Sequence, residues 1–281
     1  MDKLFEVNVQ SKAEKSLGDM NHSNLNALSH FGFRLGYGSA HTARTIMLED
    51  LRKLFKSVGN PSSLKAEYIE SIVVDNCLGK RSVKTRVLTS RHLLYLYSLD
   101  PSITIFRALR YFWDRDVESQ PLLALLCSVC RDSLLRLSTS FILKFSEGES
   151  VERETLEAFI EAKEPGRFSN ATLESTAQNL NSSWTKSGHL SGKAVKIRSR
   201  ALATPGSVSY ALFLGYLMGV RGETLFFSEY TRLLDCSPAY SIELAETASR
   251  RGWIVFKRIG NVMEVQFPNL LTAQERELIH E

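Results

Sequence analysis

Residues 252–268, GWIVFKRIGNVMEVQFP, carry the strongest local signal in the chain. Two runs rich in β-branched and aromatic residues, WIVFKRI and VMEVQF, flank Gly260-Asn261. That dipeptide tolerates the positive φ angles of a two-residue hairpin turn, and Pro268 closes the second strand. Immediately upstream, apolar residues recur at helical spacing over 206–219, 223–234 and 239–251, with Pro205 opening the first and Cys236-Ser237-Pro238 forming a turn. Helix, turn, helix and hairpin in that order predict a winged helix-turn-helix.

The stretch before it repeats the pattern faintly. A helix over 152–163, Pro165-Gly166, and a helix over about 170–186 lead into a short β-like run, AVKIRSRA. The two regions read as one module present twice. Between them and the N-terminus lies a dense helical pattern. The spacing predicts helices over 40–58, capped by Ser39 or Thr42, over about 63–77, over 83–98 capped by Ser82, and over 102–114. Pro121 opens a long apolar helix that a further segment extends to about 145. The expected organisation is a flexible segment 1–38, a helical bundle 39–147, a helix-turn-helix and wing-like module 148–204, and a winged module 205–281. The fold class is mainly α, with a small β-hairpin.

Three groups of basic residues stand out. Lys80, Arg81, Lys84, Arg86 and Arg91 fall in a stretch with no acid between Asp75 and Asp100. Cations in a first helical turn face the positive end of the helix dipole, a local cost that a bound phosphate would offset. Lys186, Lys193, Lys196, Arg198 and Arg200 lie within fifteen positions without an acid among them. Alternation would put residues 196, 198 and 200 on one strand face. Thr185, Ser187 and His189 accompany them at the end of the preceding helix. Arg250, Arg251, Lys257 and Arg258 form the third group, at a helix end and a hairpin tip. Few aromatics are interleaved, which suits duplex backbone contacts better than single-strand stacking.

Other chemistry is sparse. Cys127 and Cys130 form a C-x-x-C inside an apolar helix and read as buried thiols. The six histidines show no metal spacing, no phosphate-binding glycine loop occurs, and no cofactor is indicated. Trp113-Asp114-Arg115-Asp116 groups two carboxylates at a helix end, too few for a metal nuclease. The expectation is a non-enzyme. With 43% hydrophobic and 23% charged residues and net charge +4, the composition is that of a globular protein. The longest apolar runs, 121–130 and 210–220, are about half the roughly 20 residues a bilayer requires. The four cysteines and a polar N-terminus fit a reducing cytoplasm, which leaves the sequons at Asn21, Asn170 and Asn181 unused.

Asn76-Cys77-Leu78-Gly79-Lys80-Arg81-Ser82, the basic helix after it and the helix-rich body over roughly 40–270 resemble the BrxA family. These are accessory proteins of the bacteriophage-exclusion (BREX) defence systems, often labelled as inner-membrane proteins. The resemblance implies a cytoplasmic, non-catalytic protein that binds double-stranded DNA and works with other BREX proteins. It also implies an N-terminal half similar to the NusB antitermination fold, and contacts at Lys80 and Arg81. Two rival functions remain. One is a protein-binding scaffold docking through an aromatic patch around Trp113 and the acidic segment 147–164. The other is an RNA-binding antitermination-like factor.

Overall fold

Capping chemistry sets where the helices begin. Ser82, Asp132, Ser169, Thr204, Ser228 and Ser237 each accept a hydrogen bond from the backbone N–H three residues on. The computed structural model describes residues 22–260 and 262–280. The Asn21 sequon, most of the expected flexible segment and Asn261 of the hairpin turn lie outside the described residues. Helices dominate, joined by two small antiparallel sheets.

In chain order the helices are α1 (His22–Phe31), α2 (Leu48–Ser57), α3 (Lys65–Val73), α4 (Val83–Tyr97), α5 (Thr104–Trp113), α6 (Gln120–Arg131) and α7 (Ser133–Ile142). Next come β1 (Ser150–Val151), α8 (Arg153–Lys163), α9 (Asn170–Lys186), β2 (Leu190–Ser191) and β3 (Lys196–Arg198). The chain continues through α10 (Pro205–Leu217), a 3-10 segment Gly222–Phe227, α11 (Glu229–Arg232) and α12 (Pro238–Arg250). It ends with the hairpin β4 (Val255–Ile259) and β5 (Val262–Gln266), then α13 (Ala273–His280). The hairpin forms as expected, with Ile259 opposite Val262 beside the turn and Gly260 at φ 58°.

Several expectations are corrected. Residues 22–31 form a helix within the segment expected to be flexible, because Leu28 and Phe31 bury against the core. The helix expected over 40–58 starts only at Leu48. Ser39 and Thr42 do not cap it. Instead the Ser39 hydroxyl and the Ala40 N–H donate to the Asp132 carboxylate, both at 2.7 Å, which holds residues 39–41 out of a helix. The same Asp132 breaks the long apolar run into α6 and α7. Over 223–234 the extended backbone of Ser228 divides a 3-10 turn from the one-turn α11. Of AVKIRSRA only residues 196–198 are strand, in the centre of a three-stranded sheet of order β1-β3-β2. The closing helix α13 had no expectation.

The apolar interior is one contiguous cluster running from Leu28 to Leu270, so the modules expected at 39–147, 148–204 and 205–281 share a core. α10 occupies its centre and packs on α5, α6 and α12. Gly206 permits this: a Cβ there would meet Asp116 at 2.8 Å, and its N–H donates to the Asp116 carboxylate at 2.7 Å. One of the two carboxylates near Trp113 thereby anchors the start of α10. Trp113 itself is buried, edge-on to Phe55 at 5.0 Å, so it offers no docking patch. Cys127 and Cys130 are buried on α6, and burial pushes the Cys127 thiol up to about 11. At the chain's end Glu275 pairs with Arg107 of α5 at 2.5 Å, and α13 lies against α1.

The Asp132 cluster yields the first prediction. Burial pushes its carboxyl upward, but His41, together with hydrogen bonds from Ser39 and Leu135, outweighs burial and holds it below 3.8. A depressed folded value means stability that is full above the unfolded value and is lost as pH falls through the folded one. Asp132→Ala should cost about 3 kcal/mol at neutral pH. Urea midpoints of the variant should also fall less between pH 7 and about pH 3 than those of the parent. Equal acid slopes in the two proteins would show that Asp132 contributes nothing to the pH dependence.

Candidate nucleic-acid interface

The turn between α3 and α4 presents the first basic group. Leu78 is buried as its anchor, and Asn76 and Gly79 adopt positive φ angles of 53° and 66°. The Asn76 side chain accepts from the Lys80 N–H at 2.8 Å. This closed turn sends the Lys80 ammonium onto Asp50 of α2, at 2.8 and 3.0 Å from its two oxygens. Arg86 folds back to the exposed end of α3 and donates to the Val73 carbonyl at 2.8 Å. Arg81, Lys84 and Arg91 remain exposed, with no hydrogen bond or ion pair among the described residues.

The second group divides. Arg198 is an interior residue, 5% exposed, gripping Asp235 with two bonds of 2.8 and 2.7 Å and donating to the His189 carbonyl. It does not share an open face with Lys196 and Arg200. Asp235, 37 residues downstream, is the acid that local sequence could not assign. His189 is fully buried between Ser187 and the Leu233 carbonyl; burial first, then Arg198 against the opposing pull of Asp235, leave its pKa lowered to about 4. Arg200 is exposed and 3.6 Å from Glu147. Thr185 bonds back to Asn181 within α9.

Lys186, Lys196 and Lys193 stay with the surface. The Lys186 ammonium donates to Thr45 at 2.9 Å and Ser182 at 3.0 Å. Burial lowers its pKa; Asp50 and Glu49 oppose that, and Lys196 reinforces it. Asp50 therefore lies between Lys80 and Lys186, residues more than a hundred positions apart in sequence, and Lys196 lies close to Lys186. The connecting loop contributes Arg44, close enough to α4 that it joins burial in lowering the pKa of His92. Arg44 was missed in the sequence because its stretch read as helix interior. Lys193 is exposed and unpaired among the described residues, and Lys196 donates to the Gly192 carbonyl at 2.7 Å.

The third group spans the end of α12 and the hairpin, which packs on α12 and the 3-10 segment. Lys257 is exposed opposite Glu264, and Arg258 is exposed beside Met263. Arg250 approaches Glu246 at 4.0 Å, and Arg251 lies over Trp253. The outer side of α12 carries Glu243 and Glu246, which would repel a DNA backbone.

His41 stands between Asp132 and Ser183, with Nδ1 3.0 Å from the carboxylate and Nε2 2.9 Å from Oγ. These are the spacings of a Ser–His–Asp relay. All three side chains are fully buried. Ser183 Oγ donates to the Asn179 carbonyl at 2.8 Å and accepts from the Ile46 N–H at 3.0 Å. With its hydrogen committed, Ser183 accepts from His41, the reverse of what an activating base requires. The trio is a structural pin.

Among the described residues no group of His, Cys, Asp and Glu is placed to hold a metal ion, and no helix is long and apolar enough to cross a membrane. No protein-family model matches the chain, and no curated protein matches it.

Interior and surface cations should respond oppositely to truncation. Arg198→Ala should lower the unfolding free energy by about 3 kcal/mol, because it strands the Asp235 carboxylate. Lys193→Ala should change it by less than about 0.5 kcal/mol. Chemical denaturation of the two variants makes the comparison, and equal effects would contradict the assignment of Arg198 to the interior.

Proposed function

We propose that the protein binds double-stranded DNA without catalysis, by neutralising backbone phosphates. The observation that carries this reading is the meeting of two distant basic groups around Asp50. Lys80 from the α3–α4 turn and Lys186 from the end of α9 converge there; Lys196 lies close to Lys186, and Arg44 precedes Thr45, which accepts from the Lys186 ammonium. Arg81, Lys84 and Lys193 extend the same two segments and carry no ion pair among the described residues. Cations left without acids favour an anionic partner, and phosphate contacts of this kind position a duplex without reading its bases.

The finer architecture follows the same reading. The N-terminal helices form a bundle similar to the NusB antitermination fold. The order α11, α12 and β4–β5 hairpin corresponds to a winged helix, with Lys257 and Arg258 as backbone contacts on the wing. Glu243 and Glu246 make α12 a poor base-reading helix, so the reading assigns no sequence specificity to it. The setting in phage defence, with other BREX proteins as partners in the cytoplasm, rests on the resemblance to the BrxA family.

Binding should be measured for one short duplex, its separated strands and the matching RNA across a series of salt concentrations. The duplex should bind most tightly, with log affinity falling against log salt by about 0.9 per phosphate neutralised. Replacing Arg81, Lys84, Lys193 and Lys196 together by Ala should flatten that slope by about 0.9 for each phosphate no longer neutralised. Absence of duplex binding at low salt would overturn the proposal. Preference for RNA over the duplex would favour the antitermination-like alternative.

A further inference from the structure

A cleft of about 620 Å3 separates the chain leaving β3 from the start of α12, with Leu143 at the end of α7 as a further wall. Its lining sets Arg198, Arg200 and Arg232 against one acid, Asp235. Arg198 and Asp235 neutralise each other at 2.7 Å. That leaves Arg200, exposed and 3.6 Å from Glu147, and Arg232, exposed with no ion pair or side-chain hydrogen bond among the described residues. Apolar surface shares the cleft with these cations. Leu202 is 63% exposed and Tyr240 is 45% exposed, and both line it. Exposed apolar groups gathered in one cleft mark a contact surface more than single ones do.

The main chain is open there as well. Burial alternates along 200–203, with Arg200 and Leu202 exposed and Ala201 and Ala203 buried, the pattern of an extended chain. The Ala201 N–H donates to the Asp235 carboxylate at 3.1 Å. The main-chain N–H and C=O groups of Arg200 and Leu202 have no hydrogen-bond partner among the described residues. Unpaired main-chain groups two residues apart form an edge to which another extended chain can pair.

We propose that this cleft binds an extended acidic peptide segment of a partner protein. The peptide main chain pairs alongside residues 200–202, an apolar side chain packs against Leu202 and Tyr240, and flanking carboxylates meet Arg200 and Arg232. Such a segment matches the cations, the apolar surface and the open main chain together. A nucleic-acid backbone matches only the cations, and Glu147 and Asp235 beside the two arginine positions would repel it. The site uses none of Arg81, Lys84, Lys193 and Lys196, so it goes beyond duplex binding and does not depend on it.

The test is calorimetric titration of the full chain with the capped peptide acetyl-Glu-Asp-Leu-Asp-Glu-amide. Versions with Ala or Phe in place of the Leu, a version with Lys in place of every acid, and a single DNA strand of similar charge are titrated in parallel. The Leu and Phe peptides should saturate one site. The Ala and Lys versions should bind at least about tenfold more weakly. The Arg200→Ala, Arg232→Ala pair should weaken the Leu peptide about tenfold, and so should Leu202→Ser. These side chains are exposed, so thermal melts of the variants should match the parent, and the duplex affinity of Leu202→Ser should be unchanged. N-methylation at alternate peptide residues probes the main-chain pairing without altering the protein: one set should abolish binding and the other leave it intact. The proposal is overturned by no saturable binding of either acidic peptide, by equal affinity for the acidic and Lys versions, or by an affinity unmoved in the double arginine variant. Equal loss from both N-methylated sets, or from neither, would overturn it too, and competition by the single strand at equal concentration would assign the cleft to nucleic acid instead.

Discussion

The fold turns on one buried carboxylate. Asp132 starts α7 by accepting the Leu135 N–H, holds the 39–41 loop through Ser39 and Ala40, and meets His41, which bonds Ser183 on α9. Three segments more than forty residues apart are tied through one side chain. A buried charge is tolerated only when its partners are complete, and here four groups supply them. The loop that this carboxylate straightens includes Arg44 and Thr45, and Thr45 in turn receives the Lys186 ammonium. The position of the basic surface therefore depends on an acid that the surface never exposes.

The same logic sorts the cations. Arg110, Arg131 and Arg198 are all buried, and each carries out an interior task. Arg131 donates to the Gly32 and Tyr95 carbonyls, at 2.5 and 2.9 Å, joining the end of α6 to α1 and α4. Arg110 lies over the Phe55 ring at 4.2 Å. Arg198 closes the β3 end against Asp235. Arginine suits such places because its planar group forms several directed bonds and stays charged. Lysines 186 and 196, with single hydrated ammonium groups, remain at the rim. A count of basic residues along AVKIRSRA treats these roles as equal, although one lies inside and the others do not.

Much of the architecture was legible because its causes are local. The hairpin follows from two β-rich runs around Gly260, and α9 begins where Ser169 caps it and Asn170 starts it. The start of α4 at Ser82 and that of α6 at Pro121 obey the same short-range rules. The failures share a different cause. The 40–47 stretch has helical spacing, but Asp132, ninety residues away, claims its polar groups. The 223–234 pattern is interrupted by Ser228 at a packed corner beside α10. Of the candidate DNA-binding residues, Arg81, Lys84 and Lys193 kept open surfaces, whereas Lys80 and Arg198 found acids at Asp50 and Asp235.

By itself the sequence determined the helical class, the hairpin, most helix starts, and which segments are rich in cations. Period, capping and turn chemistry act over a few residues, and the chain displays all of them in order. Only the tertiary structure decided which cations are free and that two distant basic groups meet around Asp50. Charge pairing and burial are relations between residues thirty to a hundred and forty positions apart. Their partners are fixed only when the shared core closes.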